Sequence, residues 1–452
     1  MHTLSELRSG QLRGFKRLDL SAGLETFPEE IFQLADSLEI LNLTGNALKA
    51  LPSRLPELQR LKVIFCSENQ FNELPEVLGK CPNLEMIGFK SNQISKVAGA
   101  ALPPKLRWLI LTDNRIQQLP DEIGRCVHLK KLMLAGNQLS DLPDTIADCR
   151  ALELVRISAN QMMAMPQVLL DLPRLAWLAY AGNPFSDAWE SARRVQVLAD
   201  EVTWEQLTLK ERLGEGASGI IYRAAYQQDE TRHIAVKLFK GTVTSDGLPR
   251  SEMSAAIVAG QHAGLVKLIG EVSGHPEGVS GLAMDLVDAN YANLAAPPSL
   301  QSCTRDVYPE TLRIAFSQLL KIAGSMGEVL AHLHDRGIMH GDFYAHNMLW
   351  HHAYGCLLGD FGAASFLPVE DQHICERLQR IEVRAFGYLL EELLARCDAE
   401  AKQTDTYAML QGIQMACLQE VPEQRPTLHA LTQSLAAVEV AEAFQEAAPL
   451  KQ

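Results

Sequence analysis

No apolar run in the chain reaches the roughly 18 residues that a membrane-crossing helix needs. No C-x-x-C pair occurs among its nine cysteines, and no basic stripe breaks a net charge of −14. The first absence excludes a membrane span. The second, with an odd cysteine count scattered along the chain, points to a reducing compartment without a disulfide framework. The third makes nucleic acid a poor partner, because phosphate-backbone binding needs clustered Lys and Arg. The start, "MHTLSELRSGQLRGF", has no basic region followed by an apolar stretch, so the expectation is a cytoplasmic protein without a secretory leader.

What is present is ample apolar material. A chain of 452 residues, 47% hydrophobic and 21% charged, can build two or three cores, so at least two domains are expected. The charge is uneven: residues 1–200 hold 22 Lys+Arg against 23 Asp+Glu, and residues 201–452 hold 19 against 32. The acidity belongs to the second half.

The first half repeats itself. Asn46, Asn69, Asn92, Asn114, Asn137, Asn160 and Asn183 follow one another at intervals of 22 or 23 residues. Before them recurs L-x-x-L-x-L-x-x-N, as in "LEILNLTGN" (38–46), "LRWLILTDN" (106–114) and "LKKLMLAGN" (129–137). Pro52, Pro75, Pro120, Pro143 and Pro166 stand six residues after their Asn. This is the leucine-rich-repeat signature, and it predicts a right-handed solenoid of short parallel strands over 1–183, about eight repeats in all. "FKRLDLSAGLETFP" (15–28) is a degenerate first repeat with Gly23 for Asn, expected to cap the array. Cys81, Cys126 and Cys149 each fall twelve residues after an Asn and are expected in the core.

The outward strand positions should form a concave face. Phe65, Met86, Trp108, Ile110, Met133, Leu154, Arg156 and Trp177 occupy them, an unusually apolar set. Such a face predicts either a protein partner or packing against the chain's own second domain. Residues 184–201 read as a capping helix and linker, with Ser186 as N-cap.

Alternating apolar residues then resume from Val202. Gly214, Gly216 and Gly219 form G-x-G-x-x-G with strand-like flanks on both sides. That suits a hairpin over phosphates and not a dinucleotide fold, in which a helix would follow. Lys237 stands on an apolar strand in "HIAVKLFK", where a lone Lys is costly unless paired. "HGDFYAHN" (340–347) and Asp360-Phe361-Gly362 complete the series.

In order, spacing and residue type these elements resemble the protein kinase family from about residue 205 to 440. The resemblance implies a multidomain chain of mixed class, α/β and then α+β: the solenoid, followed by a bilobal kinase-like domain at 202–440 with lobes at 202–286 and 287–440, and a tail at 441–452. It implies ATP and Mg2+ as cofactors. It gives Lys237 the α- and β-phosphates, Glu252 the Lys partner, Asn347 and Asp360 the metal, and Asp342 the acceptor proton. Leu213, Gly214, Glu215, Gly216, Ala217, Ser218, Gly219, Ile221, Ala235 and Leu349 would enclose the nucleotide. Met284 would be the gate residue, with the backbone of Asp285 and Val287 facing adenine. Glu382 would sit on the central helix of the large lobe, and Arg425 in the last conserved segment.

The departures are as telling. Only nineteen residues separate Gly362 from Glu382, with no A-P-E sequence, so Arg425 is expected to turn to Glu370 or Glu376. Gly341 replaces the Arg that usually grips an activation-loop phosphate, and Ser365 is the only hydroxylated residue in the shortened stretch. Activity independent of activation-loop phosphorylation is therefore expected. Tyr344 replaces the Lys of Ser/Thr kinases and His346 stands where tyrosine kinases often have Arg, so the acceptor hydroxyl stays open, with Ser/Thr favoured. Two alternatives are a pseudokinase scaffold and a small-molecule phosphotransferase like the aminoglycoside and choline kinases. Retention of Lys237, Asp342, Asn347 and Asp360 weighs against the former, and the intact D-F-G against the latter. Plant leucine-rich-repeat receptor kinases share the parts but carry a membrane span between them; this chain looks more like a soluble combination, of the kind a bacterium could carry. Its expected partners are a protein substrate and a protein held by the repeats.

Overall fold

The computed structural model describes residues 1–194, 200–216, 218–227, 229–241, 243–244 and 246–447. The chain divides into two compact units, one of residues 1–175 and 183–185, the other of residues 176–182 and 186–452.

The first unit is the solenoid. Its parallel strands β1 (Arg17–Asp19), β2 (Ile40–Asn42), β3 (Val63–Phe65), β4 (Met86–Gly88), β5 (Trp108–Ile110), β6 (Lys131–Met133) and β7 (Leu154–Arg156) pair in sequence order, residue for residue. The middle residue of each, from Leu18 to Val155, is wholly buried. The repeating Asn explains the period. Asn137 accepts the Ile116 N–H at 3.0 Å and donates to the Leu111 and Leu134 carbonyls, both at 2.9 Å, so one amide stitches two turns. The residue before the Asn takes positive φ, from +53° at Glu68 to +76° at Gly182, which turns the chain out of the strand. Pro75, Pro120 and Pro143 open short 3-10 turns on the opposite side, where a missing N–H costs nothing. Cys81, Cys126 and Cys149 are buried, and burial pushes their thiols up to about 11, 11 and 12.

The outward face differs from expectation. Phe65, Trp108 and Ile110 are half-buried, but Met86, Met133, Leu154 and Arg156 are buried. Strands stand ~4.8 Å apart, so long side chains in one row cover their neighbours. Phe65 lies so close over Gly88 that a Cβ there would meet its ring at 2.5 Å, and Lys131 rests on Trp108 at 4.4 Å. Trp177 is no partner-facing residue, being 2% exposed within the second unit.

That second unit takes in β8 (Trp177–Ala179) and all but the first two residues of the helix Pro184–Arg194. The helix begins at Pro184, a residue pre-set for a first helical position. Ser186 is not its N-cap; its hydroxyl donates to the Tyr180 carbonyl at 3.2 Å. Residues 195–199 and 448–452 lie outside the described residues.

Six strands form the small-lobe sheet: β9 (Glu201–Thr203), β10 (Leu207–Glu215), β11 (Gly219–Tyr226), β12 (Asp229–Phe239), β13 (Leu268–Ser273) and β14 (Gly281–Asp285), ordered β10-β11-β12-β14-β13-β9. β9 adds in parallel to β13, and a Cβ on Gly270 would stand 2.3 Å from the Asp200 carbonyl, so only glycine admits that strand. Helix Pro249–Ala259 carries Glu252. The large lobe is helical around Phe316–Asp335 and Gln372–Ala395. The second of these starts well before Glu382, capped by Asp371, whose carboxylate accepts the Ile374 N–H at 3.1 Å. Most of the shortened segment after Gly362 is thus already helix.

Candidate functional site

The site lies against one face of the small-lobe sheet. On β12, an interior strand, Ile234 and Val236 enter the apolar cluster on one face, while Ala235 and Lys237, on the other, line a cavity; Lys237 is 7% exposed. Its ammonium is bonded to the Glu252 carboxylate and stands 3.7 Å from Asp360. Burial opposes the charge, yet Asp360 and Glu252 hold the Lys237 pKa above its ordinary value. Gly219 is required for this register, since a Cβ would lie 2.5 Å from the Leu238 carbonyl on β12.

The loop after Met339 brings the other groups. The Asn347 amide nitrogen donates to the Asp342 carboxylate at 2.8 Å and to the Asp342 carbonyl at 2.9 Å, fixing both side chains. The Asp342 N–H donates to His340 Nδ1 at 3.3 Å, which leaves the Nε2 proton for the Gly359 carbonyl at 3.0 Å. One imidazole therefore ties the loop to the residue before Asp360. Asp360 has φ +54°, a strained value for a non-glycine residue, and its side chain is 53% exposed.

Glu382 holds the loop from beneath. Buried at 1% exposed, it accepts the Gly341 N–H at 2.8 Å and the His340 N–H at 3.2 Å, and bonds His334 Nε2 at 2.7 Å. Burial would raise its pKa, but these partners hold it below the ordinary value. Arg425 does not take an acid from 370 or 376 as the sequence suggested. It is buried, donating to the Gln419 carbonyl at 2.9 Å and the Arg380 carbonyl at 3.0 Å.

A cavity of about 500 Å3, of a size that takes small ligands, joins these groups. Leu213, Gly216, Gly219, Ile221, Ala235, Lys237, Glu252, Met284, Asp285, Val287, Asn347, Leu349 and Asp360 line it. Gly214, Glu215, Ser218 and Asp342 do not; Glu215 turns instead to Arg212 and Lys240. Ala217 lies outside the described residues. Val266, Tyr291 and Asn293 also line the cavity and were missed, and His346, read from the sequence only for the acceptor class, lines it too. Also missed was Asp306, which accepts the His346 N–H at 3.0 Å and bonds its ring at 2.7 Å. No spacing signalled Asp306, which lies forty residues away from its partner.

The donor set fits a small hard cation with phosphates. Asn347 spends its amide nitrogen on Asp342 and keeps its carbonyl oxygen, Asp360 is a half-exposed carboxylate, and magnesium characteristically takes one or two protein oxygens plus water and phosphate. Among the described residues no group of three or more His, Cys, Asp or Glu could hold a metal alone.

Comparison with known proteins agrees with this geometry. A family model for the protein kinase domain matches residues 207–436, and one for the leucine-rich repeat matches residues 104–162. The chain belongs to the protein kinase family, with a leucine-rich-repeat array ahead of the kinase domain. It is 33% identical over 92 residues to the human PH domain leucine-rich repeat-containing protein phosphatase 1, 20% of this chain and 5% of that protein. It is 26% identical over 162 residues to the serine/threonine-protein kinase PITSLRE of Drosophila melanogaster, 35% of this chain and 16% of that one. To the serine/threonine-protein kinase-transforming protein mos of Moloney murine sarcoma virus (strain ts110) it is 27% identical over 172 residues, 37% and 48% respectively. The chain thus spans less than half the length of each of these relatives. Among the described residues no helix is long and apolar enough to cross a membrane.

Proposed function

We propose that the protein is an ATP- and magnesium-dependent protein kinase that transfers the γ-phosphoryl group to a protein hydroxyl, with the repeats recruiting a protein partner or restraining the kinase. The observation that carries this reading is the double engagement of Lys237 with Glu252 and Asp360 beside Asp342 and Asn347. Lys237 holds the α- and β-phosphates, and Glu252 fixes Lys237. Asn347 and Asp360 would hold the metal, which would supply charge neutralisation at the phosphates. Asp342, oriented by Asn347, accepts the proton of the attacking hydroxyl as that oxygen bonds the γ-phosphorus and the bond from the γ-phosphorus to the β–γ bridging oxygen breaks, with ADP as the leaving group. Resemblance to two kinases named as serine/threonine enzymes supports a Ser or Thr acceptor. Nine free cysteines, all buried, support a reducing and hence cytoplasmic site of action.

The test is γ-labelled ATP with the purified chain, alone and with lysate, beside Asp342→Ala and Lys237→Met. Label on protein that vanishes in both variants supports the reading. ATP binding without transfer makes the chain a scaffold, and label confined to a metabolite makes it a small-molecule kinase.

A further inference from the structure

Residues 176–182 of the second unit pack against both the loop that bears Asp342 and the shortened stretch after Gly362. Trp177 inserts against the transfer loop: its indole N–H donates to the Phe343 carbonyl at 3.0 Å, one residue after Asp342. Its ring stacks on Tyr344, centroids 4.1 Å apart and planes 8° apart, and on its other neighbour Tyr388 at 5.3 Å. Three residues on, the Tyr180 N–H donates to Ser365 Oγ at 3.1 Å and the Tyr180 hydroxyl to the Phe366 carbonyl at 3.0 Å. Ser365 is wholly buried. Gly341 completes the fit, because a Cβ there would lie 2.5 Å from the Ala363 carbonyl and 2.8 Å from the Leu178 carbonyl. A side chain at 341 and the β8 backbone at Leu178 exclude each other.

We infer that Trp177 is a positioning residue for phosphoryl transfer: the segment 176–182 serves as a built-in replacement for a phosphorylated activation segment and holds the loop bearing Asp342 in transfer geometry. The claim rests on the kinase reading above. Its physical basis is that the loop is fixed on one side by Glu382 and on the other by Trp177, a rigid ring that bonds the backbone next to Asp342 and stacks on Tyr344. Displacement of a reacting group by about 1 Å costs as much as ~100-fold in rate, so loosening either support acts on the turnover step. Nucleotide affinity, set by the cavity around Lys237, is left in place.

The experiment uses the full chain with Trp177→Phe, Trp177→Leu, Tyr344→Leu and the Trp177→Leu/Tyr344→Leu double variant; Trp204→Phe, packed in the small lobe, is the control. Three quantities are read: affinity for a non-hydrolysable ATP analogue, kcat per analogue-binding molecule, and hydrogen–deuterium exchange over residues 339–347. Trp177→Phe is expected to keep analogue affinity within about twofold, lower kcat about 3- to 10-fold and speed exchange in the loop, with Trp177→Leu losing more, up to ~100-fold. The two Leu changes should be non-additive, because they break one stack. Trp204→Phe should leave loop exchange at the wild-type rate. A purely structural Trp177 would lower thermal stability and analogue binding together while kcat per binding molecule and loop exchange stay at wild type, and that outcome overturns the inference. Should Trp177→Leu not fold, Trp177→Phe and Tyr344→Leu decide by the same readings. Should the wild type transfer no phosphate, the kinase reading fails, and loop exchange still decides whether Trp177 positions the loop.

Discussion

Asn137 in the solenoid and Lys237 in the second unit are buried to nearly the same degree, at 6% and 7% exposed, yet they are satisfied in opposite ways. Asn137 is neutral and bonds only backbone groups of its own and the preceding turn. Lys237 is charged and depends on carboxylates from a helix and a distant loop. A neutral amide with every bond made is a modest, repeatable gain that any repeat can carry. A buried ion is tolerable only when both partners are present, so it marks a place that serves something other than stability.

The contrast can be broken first at Lys237. Lys237→Met should lower phosphoryl transfer at least ~1000-fold in the labelled-ATP assay, because charge stabilisation and positioning supply most of this chemistry. The solenoid's unfolding should be unchanged. Asn137→Ala should do the reverse: a loss of about 2–3 kcal/mol in chemical denaturation, from stranding one N–H and two carbonyls, with transfer activity retained at temperatures below unfolding.

A finer comparison concerns Glu382. Because its pKa is lowered in the folded chain, the stability it contributes is present above its ordinary value of 4.5 and is lost as pH falls through the folded value. Glu382→Gln should therefore flatten the fall of Tm with acid below pH 4.5; an unchanged acid limb would place that dependence elsewhere. The smallest effect is expected at Ser365. It is buried and held by Tyr180, so Ser365→Ala should leave activity within about twofold of wild type, and near-complete loss would show that phosphorylation there is needed after all.

How much was legible follows from the same contrast. The Asn period, the Pro before the 3-10 turns and the cysteines in the core could be read directly, since each stands at a fixed offset in a repeat whose Asn recurs seven times. Lys237, Asp342, Asn347 and Asp360 were legible because the chemistry fixes residue type and local spacing. Glu252 was read from its place on a helix, and the Glu382 carboxylate from its place in a long one. Not legible were Asp306, joined to His346 across forty residues, the sixth strand β9, and the carbonyl partners of Arg425. For Trp177 the repeat position left two readings open, a partner-facing side chain or one packed on the second domain, and only the fold, which buries it within the second unit, chose between them.

By itself the sequence determined the repeat geometry and which polar groups, Lys237, Asp342, Asn347 and Asp360, would be gathered in one place, because periodic hydrogen bonding and motif chemistry both act through residue type at short range. Only the tertiary structure decided what supports those groups. Stacking of Trp177 on Tyr344, the clash that makes Gly341 necessary and the backbone bonds of Glu382 depend on segments far apart in sequence meeting within a few ångströms. No local pattern encodes such meetings, since packing selects for shape and partner and leaves no fixed spacing behind.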